Sequence, residues 1–169
     1  MLFRRVSLLL SVVVFSACGY HLAAGDLRQV GTIAIVTPRN EAGEPGLDRI
    51  VADALRRELL RRSGSRIAES PEKADVVVRG RIVNVQTAAR SLSSVVLVLE
   101  YETQVTLELD AKRGDQVVVA PTRFEDSERH LASGDVEAQR KNREEALRRI
   151  AAMIAARFMD RLGEEQAAR

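Results

Sequence analysis

The stretch Val95-Val96-Leu97-Val98-Leu99-Glu100-Tyr101-Glu102-Thr103-Gln104-Val105-Thr106-Leu107-Glu108-Leu109-Asp110 decides the fold. Its odd positions run Val95, Leu97, Leu99, Tyr101, Thr103, Val105, Leu107 and Leu109, and from Glu100 the even ones are Glu, Gln, Thr or Asp. Side chains on a strand point alternately to opposite faces, so this period of two predicts a long strand with one face on a core and the other in water. A half-solvated strand of that kind belongs in an antiparallel sheet.

Arg113-Gly114-Asp115 reads as a hairpin turn, and Gln116 to Thr122 as the last strand. Upstream, Ala74 to Val85 is a strand entered through the turn Ser70-Pro71-Glu72-Lys73, and Arg66 to Glu69 is a short one. Thr32 to Thr37 is the first strand, closed by Pro38, which cannot extend a ladder. Between these strands lie a turn-rich connection, Asn40 to Gly46, and an amphipathic helix. Its apolar stripe is Leu47, Ile50, Val51, Ala54, Leu55 and Leu59, with Arg49, Asp53, Arg56 and Arg57 off it, and it ends near Ser63-Gly64. A second, longer helix starts at Ser133-Gly134-Asp135, with Ser133 or Asp135 as cap. It buries Leu147, Ile150, Ala151, Ile154, Phe158 and Leu162 and stops at Gly163. The expected fold is α+β: a two-layer sandwich, with both helices on one face of a small, mostly antiparallel sheet. The domain is residues 32–163, and residues 164–169 form a short tail.

The N-terminus carries a different message. Arg4 and Arg5 precede the apolar run Leu8 to Phe15, then Ser16-Ala17 and the chain's single cysteine, Cys18. A positive start, a short apolar stretch and a small pair are the anatomy of a cleaved secretory signal. Residues 1–17 are therefore read as the signal peptide, cut between Ala17 and Cys18. A cysteine placed there is the acceptor of a bacterial lipoprotein: its thiol takes diacylglycerol and its freed amine an acyl chain. Phe15 stands where the lipoprotein box usually has Leu. Residues 18–31 then form a lipid-anchored linker, and several acyl chains hold a protein firmly to a membrane. With one cysteine no intramolecular disulfide is possible.

Composition narrows the function. The chain holds 26 basic and 24 acidic residues, and the signal removes two of the basic ones. The mature protein is then balanced in charge, against a nucleic-acid partner. The two histidines, His21 beside the lipid site and His130 in an expected loop, have no cysteine or second histidine at ligand spacing, so no metal site is expected. Gly43, Gly46 and Gly64 make no phosphate loop, and Ser91, Ser93 and Ser94 sit in no nucleophile elbow. The expectation is a protein without enzymatic activity and without a cofactor other than its covalent lipid.

Cys18-Gly19-Tyr20-His21-Leu22 resembles the start of the LptE family, the lipopolysaccharide-assembly lipoproteins of Gram-negative outer membranes. The order of elements after it is similar too, including the Ala74-Asp75 strand with its valines and the long strand through Glu100-Tyr101. The resemblance implies helices on a small sheet and a place inside the LptD β-barrel as plug and assembly factor. It also implies contact with lipopolysaccharide and the periplasmic face of the outer membrane, a location that Gly19 rather than Asp after Cys18 favours. Lipid A is phosphorylated, so its binder needs guanidinium or ammonium donors. Arg79 and Arg81 on one strand face, with Arg90 at the strand's end, are the candidates; ordinary solvated charges are the alternative. Arg140, Lys141, Arg143, Arg148 and Arg149 alternate with acids and read as solubilising. The competing function is a periplasmic adaptor lipoprotein that regulates a peptidoglycan synthase or assists an ABC transporter.

Overall fold

The chain's computed structural model describes residues 27, 30–62, 66–92 and 98–168. Cys18, the signal segment and nearly all of the linker lie outside the described residues. The order is β1 (Thr32–Ile35), β2 (Arg39–Asn40), α1 (Leu47–Arg61), β3 (Arg66–Ile67), β4 (Val76–Leu92), β5 (Val98–Arg113), β6 (Gln116–Leu131) and α2 (Val136–Ala167).

The long alternating stretch is β5, the middle of three long antiparallel strands. It pairs with β4 from Val77↔Lys112 to Leu92↔Val98, and with β6 from Arg113↔Gln116 to Glu100↔Leu131. Gly114, at φ 54°, makes the tight turn between β5 and β6. On the other side of β4 the short strands β1 and β2 pair in parallel, and β3 extends the sheet beyond β1. The fold is thus the expected α+β one, with two helices and an open, mostly antiparallel sheet of six strands.

One face of the sheet makes the core. Thr103, Val105, Leu107, Leu109 and Ala111 of β5 are buried as the period of two requires. They join Val76, Val78 and Ile82 of β4, the α1 stripe apart from half-buried Ile50, and all six expected stripe residues of α2. Each fully buried Leu, Ile or Phe contributes about 1.5–3 kcal/mol. Phe158 meets Phe124 of β6 edge-on, with ring centroids 5.9 Å apart. Gly80 interrupts the buried row of β4 opposite Leu109. A methyl group there would run into the Leu109 side chain and lie 2.6 Å from the Glu108 carbonyl oxygen.

Two clamps tie the helices and the short strands down. Thr32 donates both its backbone N–H and its hydroxyl to Asp75 Oδ2, each at 2.7 Å, and so locks the start of β1 to the start of β4. Gly31, at φ 85°, leaves room for that carboxylate. These hydrogen bonds hold the Asp75 carboxyl below its ordinary range. At the end of α1, buried Arg62 bonds Glu58 at 2.8 Å and the Ala156 carbonyl at 3.0 Å, and lies 2.8 Å from Asp160. Glu44, just before α1, meets Arg143 of α2, so the two helices run parallel.

Strands β1 and β3 each end two residues earlier than expected, β2 takes in Asn40 of the expected turn-rich connection, and three boundaries move by four residues or more. β4 runs to Leu92 rather than Val85, and β6 to Leu131 rather than Thr122. From Gln86 to Arg90 the residues of β4 are exposed, so no apolar alternation marks them, and pairing with β5 carries them. In β6, Pro121 sits at a register shift of the edge strand, where a missing N–H costs little. His130 is therefore a strand residue and not a loop residue. α2 also continues past Gly163 to Ala167. Its last turn is held by the Arg161–Glu165 ion pair and by Arg113, which donates to Gln166 at 3.2 Å. Asp135 is the cap, accepting from the Ala138 N–H at 2.7 Å.

Candidate ligand-binding surface

The helices cover one face of the sheet and leave the other open. The open face is ruled by rows of charge, because β4, β5 and β6 place opposite residues side by side. Arg79 stands across from Asp110, and Arg81 across from Glu108, which in turn faces Arg123. Arg81 forks onto Glu108 with bonds of 3.0 and 3.1 Å and also reaches Glu41 at 3.0 Å. Glu108 is held below its ordinary range chiefly by the hydrogen bond from Arg81. Asp110 is pushed up by burial. Further along, Gln104 bonds Glu125, and Ser127 lies 3.4 Å from Glu102.

Arg79 and Arg81 therefore share a face as expected. Arg90 does not join them. It lies nine residues beyond Arg81, roughly 30 Å along the strand, and pairs with Glu102 at 2.7 Å. Its neighbour across Glu102 is Arg129 of β6, an exposed cation without an ion pair among the described residues. Leu131, two residues on, is 64% exposed. Cations beside apolar surface, the combination an amphipathic anion needs, thus occur at the Arg90 end of the open face. Sequence reasoning misses Arg129 because the strand pattern of β6 reads as ending at Thr122. The cleavage site Ala17–Cys18 and the lipid acceptor Cys18 lie outside the described residues.

Behind that end, on the helix side, runs a chain of polar contacts. Arg143 grips Glu44 with bonds of 2.7 and 3.2 Å and donates to Thr87 Oγ1 at 2.6 Å. Thr87 lies 3.0 Å from Thr103, and Thr103 lies 3.1 Å from His130 Nε2. His130 is buried and stacks on Tyr101, with ring centroids 5.7 Å apart. A guanidinium only donates, so protons can run from Arg143 to Thr87, Thr103 and finally Nε2. In that order a neutral His130 accepts at Nε2, and its buried Nδ1 has no hydrogen-bond partner among the described residues. Burial lowers the imidazole pKa, and Arg143 and Arg149 lower it further, against a raising influence of the Leu131 backbone. Arg143 is thus a structural link rather than a solubilising charge. The signal in the sequence was Thr103, a hydroxyl on an otherwise apolar stripe, which demands a buried partner. Among the described residues no group of carboxylates, histidines and cysteines could hold a metal ion.

The family model for LptE, lipopolysaccharide-assembly, matches residues 30–162. The chain belongs to the LptE family. The match covers the sheet, α1 and α2 as far as Leu162, and does not include the Cys18–Leu22 run. No curated protein matches the sequence. Among solved structures, lipoprotein B from Nitrosomonas europaea is similar at 14% identity, covering 82% of this chain and 86% of that one with a TM-score of 0.56. A Xanthomonas campestris protein is similar at 12% identity, covering 82% and 88%, with a TM-score of 0.57. The rare lipoprotein B from Shewanella oneidensis is 19% identical over 81% and 94%, with a TM-score of 0.49. At such identities the first two establish the shared fold.

Proposed function

We propose that this LptE-family protein is a lipid-anchored component of the outer membrane that seats in an LptD-like β-barrel, assists its assembly and contacts lipopolysaccharide in transit. The family match over the whole sheet, α1 and most of α2 carries the reading. Cys18, with diacylglycerol on its thiol and an acyl chain on its amine, is the anchor to the periplasmic face. The charge pattern suits a plug. A barrel lumen is polar, and the open face offers it rows of charge already matched across strands rather than one large apolar patch.

Lipopolysaccharide phosphates would meet the Arg90 end of the open face, where Arg129 is unpaired and Leu131 exposed. Arg81 is the weakest of the three arginine candidates, since it is committed to Glu41 and Glu108, whereas Arg79 is exposed and forms no ion pair among the described residues. Capture of the tagged full-length protein from outer membranes in mild detergent tests the assignment. A large, heat-modifiable β-barrel should come with it. Recovery of a peptidoglycan synthase or an ABC transporter instead, or of the protein in inner-membrane fractions, would refute it.

A further inference from the structure

A groove of about 890 Å³ opens to solvent between α1 and the first half of α2. Its floor is apolar, made by Ile50 and Leu147. Its rim holds five guanidiniums and three carboxylates, a surplus of two positive charges. Most of these groups satisfy one another. Arg143 is taken by Glu44, Arg140 by Glu137 and Glu144, and Arg148 by Glu144. Asp53 is paired with Arg56 at 3.2 Å. Arg49 and Arg57 remain, both exposed and, among the described residues, without an ion pair or hydrogen bond.

Arg49 is also in an unfavourable place. It stands in the first turn of α1, where the helix dipole repels a cation. The N-cap is Gly46, at φ 75°, which offers no side-chain bond. Asp48 already supplies a negative charge to that first turn, so it is the unpaired guanidinium of Arg49 that favours an anion at the groove's end.

We infer that this groove docks an extended acidic segment of a partner protein. Arg49 and Arg57 are eight residues apart on a helix, about 12 Å along its axis. In an extended chain, residues i and i+4 lie on one face about 13 Å apart, with i+2 between them. Two carboxylates at that spacing reach one guanidinium each, and an apolar side chain between them lies on Ile50 and Leu147. A phosphorylated lipid headgroup fits less well. The carboxylates of Glu44, Asp53 and Glu144 are interleaved with the cations and repel dense negative charge. The inference stands apart from the barrel assignment, since it concerns the helix side of the molecule and not the open sheet face.

The test uses the full-length protein in detergent and a fluorescent seven-residue peptide with glutamate second and sixth and leucine fourth. The wild-type protein should bind it in a salt-sensitive way, and a peptide with glutamines in place of the glutamates should not bind. The double variant R49E/R57E should weaken binding by at least about tenfold, because each contact is a charge-assisted hydrogen bond. Both residues are exposed, so circular dichroism should be unchanged. The variant R66E, at an exposed arginine of β3 outside the groove lining, should bind as the wild type does. The inference is overturned if the wild-type protein does not bind the peptide, or if R49E/R57E binds it unchanged. Displacement of the peptide by phosphatidylglycerol in mixed micelles would overturn it too, by assigning the groove to a lipid headgroup.

Discussion

Arg143 on α2 and Glu44 in the loop before α1 are 99 residues apart in sequence, yet they form a two-pronged ion pair with bonds of 2.7 and 3.2 Å. The same guanidinium touches Thr87 of β4, so one side chain joins a loop, a helix and the sheet. Glu44 is further fixed because Asn40 donates to its carbonyl at 2.6 Å. Arg143→Met keeps the aliphatic stem and removes the donors. It should cost about 2 kcal/mol, the scale of hydrogen bonds to charged groups. In a double-mutant cycle by urea unfolding, Glu44→Gln should cost much less once Arg143 is already Met.

The other end of that chain makes stability depend on pH. An imidazole whose pKa is lowered in the folded state stays neutral while the unfolded chain takes up a proton. Unfolding therefore binds more protons just below the ordinary histidine value of about 6.5. Stability contributed by His130 is complete above that value and is lost as pH falls below it. The carboxylates held down by hydrogen bonds, Glu58 and Asp75 among them, act at lower pH, near and below the ordinary carboxylate range. Thermal melts between pH 7 and 5 should show the decline in the wild type, and His130→Gln should flatten it.

Arg62 should be the most sensitive charged residue. Its side chain is 6% exposed and serves Glu58, Asp160 and the Ala156 carbonyl at once. Breaking a buried ion pair by removing one partner costs about 3–5 kcal/mol, and the exposure of Asp160 places this case at the lower end. Arg62→Ala should therefore lower Tm by roughly 10 °C in a domain of this size. Arg61→Ala, on the exposed side of Glu58, should change it little.

The two halves of the open face should separate cleanly. Arg81→Glu would set three carboxylates together, with Glu41 and Glu108, and should destabilise the protein before any effect on a ligand can be read. Arg129→Glu disturbs no ion pair among the described residues and should leave the melt unchanged. It should weaken binding of purified lipopolysaccharide by about tenfold if one phosphate contact of this strength is lost. Unchanged binding would move the lipopolysaccharide contact away from this end of the sheet.

The fold was legible where one face met the core and the other met water. Val105, Leu107 and Leu109 alternate with Thr106 and Glu108, and both helices show their stripes for the same reason. It was illegible where the sheet runs on without a core behind it. Thr87 to Leu92 and Arg123 to Arg129 have little period of their own, and their strand state comes from pairing with β5, a tertiary cause. That loss hid Arg129 and His130, and with them the polar chain behind the open face. Gly163 misled because a glycine permits a helix end without requiring one, and Arg113 holds the following turn in place. The unpaired state of Arg49 and Arg57 was equally hidden, since which carboxylate each arginine finds is decided by the packing of α1 on α2.

Controlled depletion of this protein in its native host tests the central claim most directly, with barrel heat-modifiability and surface lipopolysaccharide followed together. The account predicts that the large barrel partner shifts to a misassembled form and that lipopolysaccharide disappears from the cell surface. Restoration should follow from the wild-type protein and not from Cys18→Ser, which should also fail to incorporate labelled fatty acid. A correctly assembled barrel and unchanged surface lipopolysaccharide after depletion would contradict it.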